Sequence, residues 1–131
     1  MDEHLYDILI TPDETTIFYK KGTLQYHIDY NKMGVIHREN GPAIIYKNGH
    51  KEWVINGKSH RLDGPAIEFA NGEKHWIVNG ERHRTDGPAI ININNECIWY
   101  IKGKILSVDK QKKLTNWYNN KNLANLKCWQ W

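Results

Sequence analysis

The sequence predicts a mainly β fold: an antiparallel β-hairpin repeat array in a single meandering, curved sheet, with a small C-terminal α-helical cap. Three observations carry this. A string of the form His-Arg-x-(Asp/Asn)-Gly-Pro-Ala-Ile opens at His37, His60 and His83, 23 residues apart. Trp53, Trp76 and Trp99 follow at the same interval, and fixed periods of this length mark stacked architectures. Short runs of Ile, Val, Trp and Tyr alternate with Asn-Gly pairs, the residues that close tight hairpins. One domain of 131 residues is expected, with an N-terminal β cap over 1–36, three repeats over 37–105 and the helical cap over 106–131.

The N-terminal cap contains a worn unit in which Tyr30 takes the Trp position and Gly34 precedes His37 by three residues. In the first full repeat, folding the chain at Asn48-Gly49 sets Ile44 opposite Trp53, and folding it at Asn56-Gly57 sets Trp53 opposite His60. The second repeat pairs Ile67 with Trp76 and Trp76 with His83 in the same way. Side chains alternate between sheet faces, so Ile, Trp and His are expected to line one face as an aromatic ridge. A repeat that advances by translation needs an even number of strands per unit. The His-to-Ala string is therefore read as a bend within one long strand, its first half pairing backward and its second half forward. Asp63-Gly64 makes the corner, with Gly64 at positive φ. Gly41, Gly87 and Asp86 are the matching landmarks. Each unit advances by about 10 Å, two strand spacings.

At the C-terminus, Ser107 is placed to cap a helix with Asp109 in its first turn. Leu114, Trp117 and Tyr118 fall on one face of that helix and are expected to pack on the last hairpins. A second short helix, carrying Leu123 and Leu126, is expected before the terminal Cys-Trp-Gln-Trp.

This pattern resembles the MORN repeat family, whose scheme Trp53, Gly57 and His60, then Trp76, Gly80 and His83, then Trp99 and Gly103 approximate. The spacing from Trp to Gly is one residue longer here, and Arg follows His where the family has Gly. The closer likeness is to the variant His-Arg-x-Asp-Gly-Pro-Ala arrays of phage, viral and bacterial proteins, over residues 30–105. The resemblance implies a hairpin array used for protein contacts or assembly, lipid association in some members, and no catalysis.

Composition narrows the function classes. Hydrophobic content of 40% and six Trp exclude a disordered chain. Cys97 and Cys128 lack metal-site spacing and are too few for a disulfide framework, which suits a reducing compartment. The acidic start has no signal-peptide pattern and no run approaches a membrane span, so a cytoplasmic protein is expected. The net charge of +3 is unevenly placed: residues 101–131 hold seven Lys against Asp109 alone, or +6, leaving −3 for the rest. Lys outnumbers Arg by 14 to 4, and Asn and Ile number 14 and 16, which hints at an AT-rich genome.

Seven His invite a metal reading. However, His37, His60 and His83 recur about every 10 Å, whereas two zinc ligands lie only about 4 Å apart. Three equivalent copies of His-Arg-x-Asp do not form the single asymmetric constellation that an active site requires. No metal, cofactor or catalytic residue is expected, and His37, Gly41, Trp53, His60, Asp63, Gly64, Trp76, His83, Asp86, Gly87 and Trp99 are read as structural. Partner binding is assigned to an extended face carrying His50, Glu52, Glu68, Glu73 and His75, or to a tail with Lys110, Lys112, Lys113, Trp129 and Trp131. The partner expected is a protein; by analogy with the phage-like repeat, the chain would be a phage or viral inhibitor of a host defence protein. The alternative is nucleic-acid or anionic-lipid binding through the same lysines with Lys121 and Lys127. The N-terminal edge also permits a homodimer by strand addition.

Overall fold

A computed structural model describes residues 6–10, 16–20 and 26–121, with side chains from residue 28. It is mainly β with one C-terminal helix. Strands β1 (Tyr6–Ile10), β2 (Thr16–Lys20) and β3 (Tyr26–Tyr30) form the N-terminal cap as an antiparallel meander. Each repeat then adds two short strands to the same sheet: β4 (Ile44–Tyr46) and β5 (Lys51–Glu52), then β8 (Ile67–Glu68) and β9 (Lys74–His75), then β12 (Ile90–Ile91) and β13 (Cys97–Ile98). The result is a nine-stranded sheet in the order β1-β2-β3-β4-β5-β8-β9-β12-β13.

The remaining strands do not join it. Val54–Ile55 (β6) pairs only with Lys58–Ser59 (β7), Ile77–Val78 (β10) with Glu81–Arg82 (β11), and Tyr100–Ile101 (β14) with Lys104–Ile105 (β15). The expected single sheet is thus one sheet and three separate ribbons. The chain leaves the sheet at each Trp and returns to it through the His-to-Ala string. That string is not a bend within one long strand: its first half, as β7, pairs back within a ribbon, and its second half, as β8, lies in the main sheet between β5 behind it and β9 ahead.

The sheet register differs by one residue from expectation. Ile44 faces Glu52, and Ile67 faces His75. The cause is the loop. Tyr46 and Gly49 close it as a three-residue connection, with Tyr46 N–H on the His50 carbonyl at 2.9 Å and Gly49 N–H on the Tyr46 carbonyl at 3.0 Å. Asn48 serves there through its side chain, accepting the His50 N–H at 3.0 Å. The ribbon turns differ: Asn56 and Gly57 have φ of 49° and 80°, Asn79 and Gly80 51° and 80°, as a two-residue type I′ turn requires. The predicted pairing of Trp with His survives on this side, since His60 N–H reaches the Trp53 carbonyl at 3.0 Å and His83 N–H the Trp76 carbonyl at 3.1 Å. Because Trp does not sit in the sheet row, the expected ridge of Ile, Trp and His does not form.

The core follows the junction of sheet and ribbons. Ala43, Ala66 and Ala89 are completely buried, and Val54, Ile77 and Trp99 nearly so. A small residue is needed because backbones approach closely here: the N–H groups of Trp53 and Trp76 donate to the carbonyls of Ala66 and Ala89, each at 2.7 Å. Asp29, not Tyr30, fills the equivalent place at the start, donating to the Ala43 carbonyl at 2.8 Å and accepting from His37 N–H at 3.0 Å. One extra residue in the loop from Asn31 to Val35 shifts the register.

Helix α1 (Val108–Lys121) ends the described chain. Ser107 caps it as expected, its hydroxyl accepting the Lys110 N–H at 3.4 Å. The expected apolar face packs only in part: Tyr118 lies edge-on 6.3 Å from the Trp99 ring and Leu114 is half-buried, while Trp117 is 45% exposed and the fully buried positions are Gln111 and Thr115. Trp99 has no fourth Ala to reach, and its N–H donates instead to Gln111 Oε1 at 3.2 Å. Gln111 Nε2 in turn donates to the Leu106 carbonyl at 2.8 Å, and Trp99 Nε1 donates to Thr115 Oγ1 at 3.0 Å. The helix thus satisfies groups that another repeat would otherwise satisfy. Cys97 is fully buried. The other cysteine, Cys128, lies outside the described residues, as do the predicted second helix and Lys127, Trp129 and Trp131.

Candidate functional site

Each corner is built from one Arg. Arg61 Nε donates to Asp63 Oδ1 at 3.0 Å and its Nη1 to the Pro65 carbonyl at 3.1 Å. The same guanidinium lies 3.9 Å from the Trp53 ring, a cation–π contact worth about 0.5–2 kcal/mol. Arg84 repeats this with Asp86 at 3.0 Å, the Pro88 carbonyl at 3.1 Å and the Trp76 ring at 3.9 Å. Arg38 reaches the Pro42 carbonyl at 3.2 Å and, lacking a Trp, lies 3.4 Å from the buried carboxylate of Asp29. The hydrogen bond from Arg61, together with its charge, holds the Asp63 carboxyl below the usual carboxylate range.

The corner glycines have a different cause from the one expected. Gly64 lies outside the left-handed region, and a Cβ there would meet Arg61 Cζ at 2.7 Å; at Gly87 the distance to Arg84 Cζ is 2.5 Å. Here glycine leaves room for the guanidinium in its present position, and the cause is not positive φ.

The three histidines link successive ribbons. Nδ1 of His37, His60 and His83 accepts the backbone N–H of Asn56, Asn79 and Lys102 at 3.0, 3.0 and 2.9 Å. An accepting Nδ1 is unprotonated, so each ring carries its proton on Nε2. Among the described residues no group of three or more His, Cys, Asp or Glu is arranged to hold a metal.

The expected binding face is partly brought together. Glu52 and His75 share a cross-strand row through Ile67, and His50 and Glu73 stand two residues before them on the same face. Glu68 is one residue from Ile67 and faces the other way, 3.4 Å from Arg61 Nη1. The rest are committed within the chain. Glu52 accepts from Ser59 Oγ at 2.7 Å, and His75 Nε2 lies 2.8 Å from Glu73 Oε1. His50 sits between Tyr46 and Phe69, and Phe69 lies against His75, each ring pair 5.0 Å apart. The His75–Glu73 pair thus stands beside the Phe69 ring.

Two of the open cavities among the described residues adjoin these groups. One, of about 640 Å³, lies between the first two corners, with Glu39, Trp53, His60, Leu62 and Asp63 among its lining residues. The other, of about 460 Å³, is lined by Tyr46, Asn48, His50, Phe69, Ala70 and Asn71 at the loop end of the sheet. On α1, Lys110, Lys112 and Lys113 are all exposed. Sequence reasoning missed Leu62, which is 80% exposed. The signal for it was an apolar residue at the variable x position of a corner string, where Glu39 and Thr85 stand in the other copies.

In comparisons with family models, with curated proteins and with solved structures, nothing matches this chain. No helix among the described residues is long and apolar enough to cross a membrane.

Proposed function

We propose that the chain is a non-catalytic binding module whose partner is a protein. The observation that supports this is how the repeated polar string is used. In each copy the His acceptor, the Arg donors and the Gly clearance serve the fold, at the same distances to within a few tenths of an ångström. What varies between copies lies outside those roles, on corner tips and on the aromatic row, and variable exposed surface on a constant scaffold suits recognition. The likeness to variant MORN arrays points the same way and extends the proposal to a phage or viral inhibitor of a host defence protein.

The test is affinity capture with the full chain, followed by nuclease digestion and mass spectrometry. A stoichiometric protein that survives digestion supports the reading. Retention of RNA or DNA that falls steeply with salt would support the second reading instead, which the exposed lysines of α1 favour: binding of nucleic acid or anionic lipid through Lys110, Lys112, Lys113 and Lys121.

A further inference from the structure

We propose that Asn48 and Asn71 are sites of spontaneous deamidation promoted by the fold, while Asn56 and Asn79 in the ribbon turns stay intact. All four asparagines precede a glycine, and all four are exposed. Sequence and accessibility therefore treat them alike, and the hydrogen bonds of the two turn types separate them.

The reaction is an attack within the dipeptide. As its proton passes to solvent, the Gly49 amide nitrogen bonds to Asn48 Cγ. The oxyanion formed at Oδ1 collapses, and Nδ2 departs with a proton as ammonia, leaving a five-membered imide. Water then opens the imide at either carbonyl to give aspartate or isoaspartate, with no change of oxidation state. The sheet loops favour these steps in two ways. Asn48 Oδ1 accepts the His50 N–H at 3.0 Å, and Asn71 Oδ1 accepts the Glu73 N–H at 3.0 Å. A side chain bonded two residues ahead folds its carbonyl back over the intervening glycine, which is the approach that the attack needs. The same N–H faces the oxygen on which negative charge develops, as a donor in an oxyanion hole does.

The ribbon turns hold the nucleophile instead. Gly57 N–H donates to the Ile36 carbonyl and Gly80 N–H to the Ser59 carbonyl, each at 2.8 Å, so freeing either nitrogen breaks a link to an earlier segment. In the sheet loops Gly49 and Gly72 donate at 3.0 Å to the carbonyls of Tyr46 and Phe69, within their own loops, where opening is local. The third repeat supplies a contrast. Asn94-Asn95 stands in the place of Asn-Gly, and the Glu96 N–H goes to Asn92 Oδ1 at 2.9 Å, so Asn94 should react slowly. Asn48 and Asn71 both line the cavity of about 460 Å³. Their conversion replaces two neutral amides at its mouth with carboxylates, whatever the chain binds.

Peptide mapping by mass spectrometry tests this, on the full chain aged in mildly alkaline buffer, either folded or in urea. Circular dichroism confirms the state of each sample. Trypsin cuts after Lys47, Lys51, Lys58, Arg61, Lys74 and Arg82, which leaves the four pairs on four separate peptides. On the folded chain Asn48 and Asn71 should convert at least about tenfold faster than Asn56 and Asn79, and in urea that ratio should fall to about one. The loop sites should also convert no slower folded than in urea, which distinguishes promotion by the loops from mere protection of the ribbons. Equal rates at all four sites of the folded chain, or loop sites that react faster in urea than when folded, would each overturn the proposal.

Discussion

His60 shows how one side chain can join two repeats. Its Nδ1 receives the Asn79 N–H, and removing a partner of this kind costs about 1 kcal/mol. His60→Leu should lower the melting temperature by several degrees. His60→Asn, whose amide oxygen can stand near the place of Nδ1, should lose less; equal losses would show that the ring matters for packing alone. Asp63 allows a pH test. Arg61 lowers its folded pKa below the unfolded value, so its contribution is present above that value and lost as pH falls through the folded one. The difference in melting temperature between the wild type and Asp63→Asn should be constant above about pH 4 and close below it. A difference undiminished in acid would remove Asp63 from the account. Gly64→Ala must displace the Arg61 guanidinium, which lies 2.7 Å from the new Cβ, and should cost about 1–3 kcal/mol by chemical denaturation. The sequence marked this glycine as a corner residue, but only the position of Arg61 reveals why.

At the scale of the element, the two kinds of Asn-Gly pair explain the register error. In the ribbon turns Asn takes the left-handed conformation itself, whereas in the sheet loops it holds a following N–H with its side chain. The dipeptide is the same, and the loop length differs by one residue. That one residue moved every predicted sheet partner of Trp to its neighbour. Helix α1 was legible at its start through Ser107 and only in part on its buried face. Hydrophobic periodicity gives no weight to Gln111 or Thr115, yet these two complete the hydrogen bonds of Trp99 and Leu106. Gln111→Leu keeps the volume and strands a buried N–H and a carbonyl, with an expected loss of about 2–3 kcal/mol in chemical denaturation. A neutral result would mean that water replaces both bonds.

For the whole molecule, an array of equivalent units is stable only if its ends are closed. The described N-terminal end is closed by a three-strand meander and the buried Asp29, and the other end by α1. Deleting residues 107–131 would expose the Trp99 edge, whose N–H and ring then lose their partners. The truncated chain should aggregate or lose its cooperative melting transition, as checked by light scattering and circular dichroism. A soluble fragment with a sharp transition would show that the repeats close themselves.

Sequence alone determined the β class, the tight Asn-Gly turns and the capped start of the C-terminal helix, because these follow from spacing and from local turn and capping chemistry. It could not determine that the chain splits into one sheet and three ribbons, that Asp29 replaces a Trp, or that Gln111 and Thr115 are the fully buried positions of the helix. Those outcomes depend on which backbone groups of one unit meet the next. Such contacts join residues that the period alone leaves unpaired, and only the folded chain brings them within hydrogen-bonding distance.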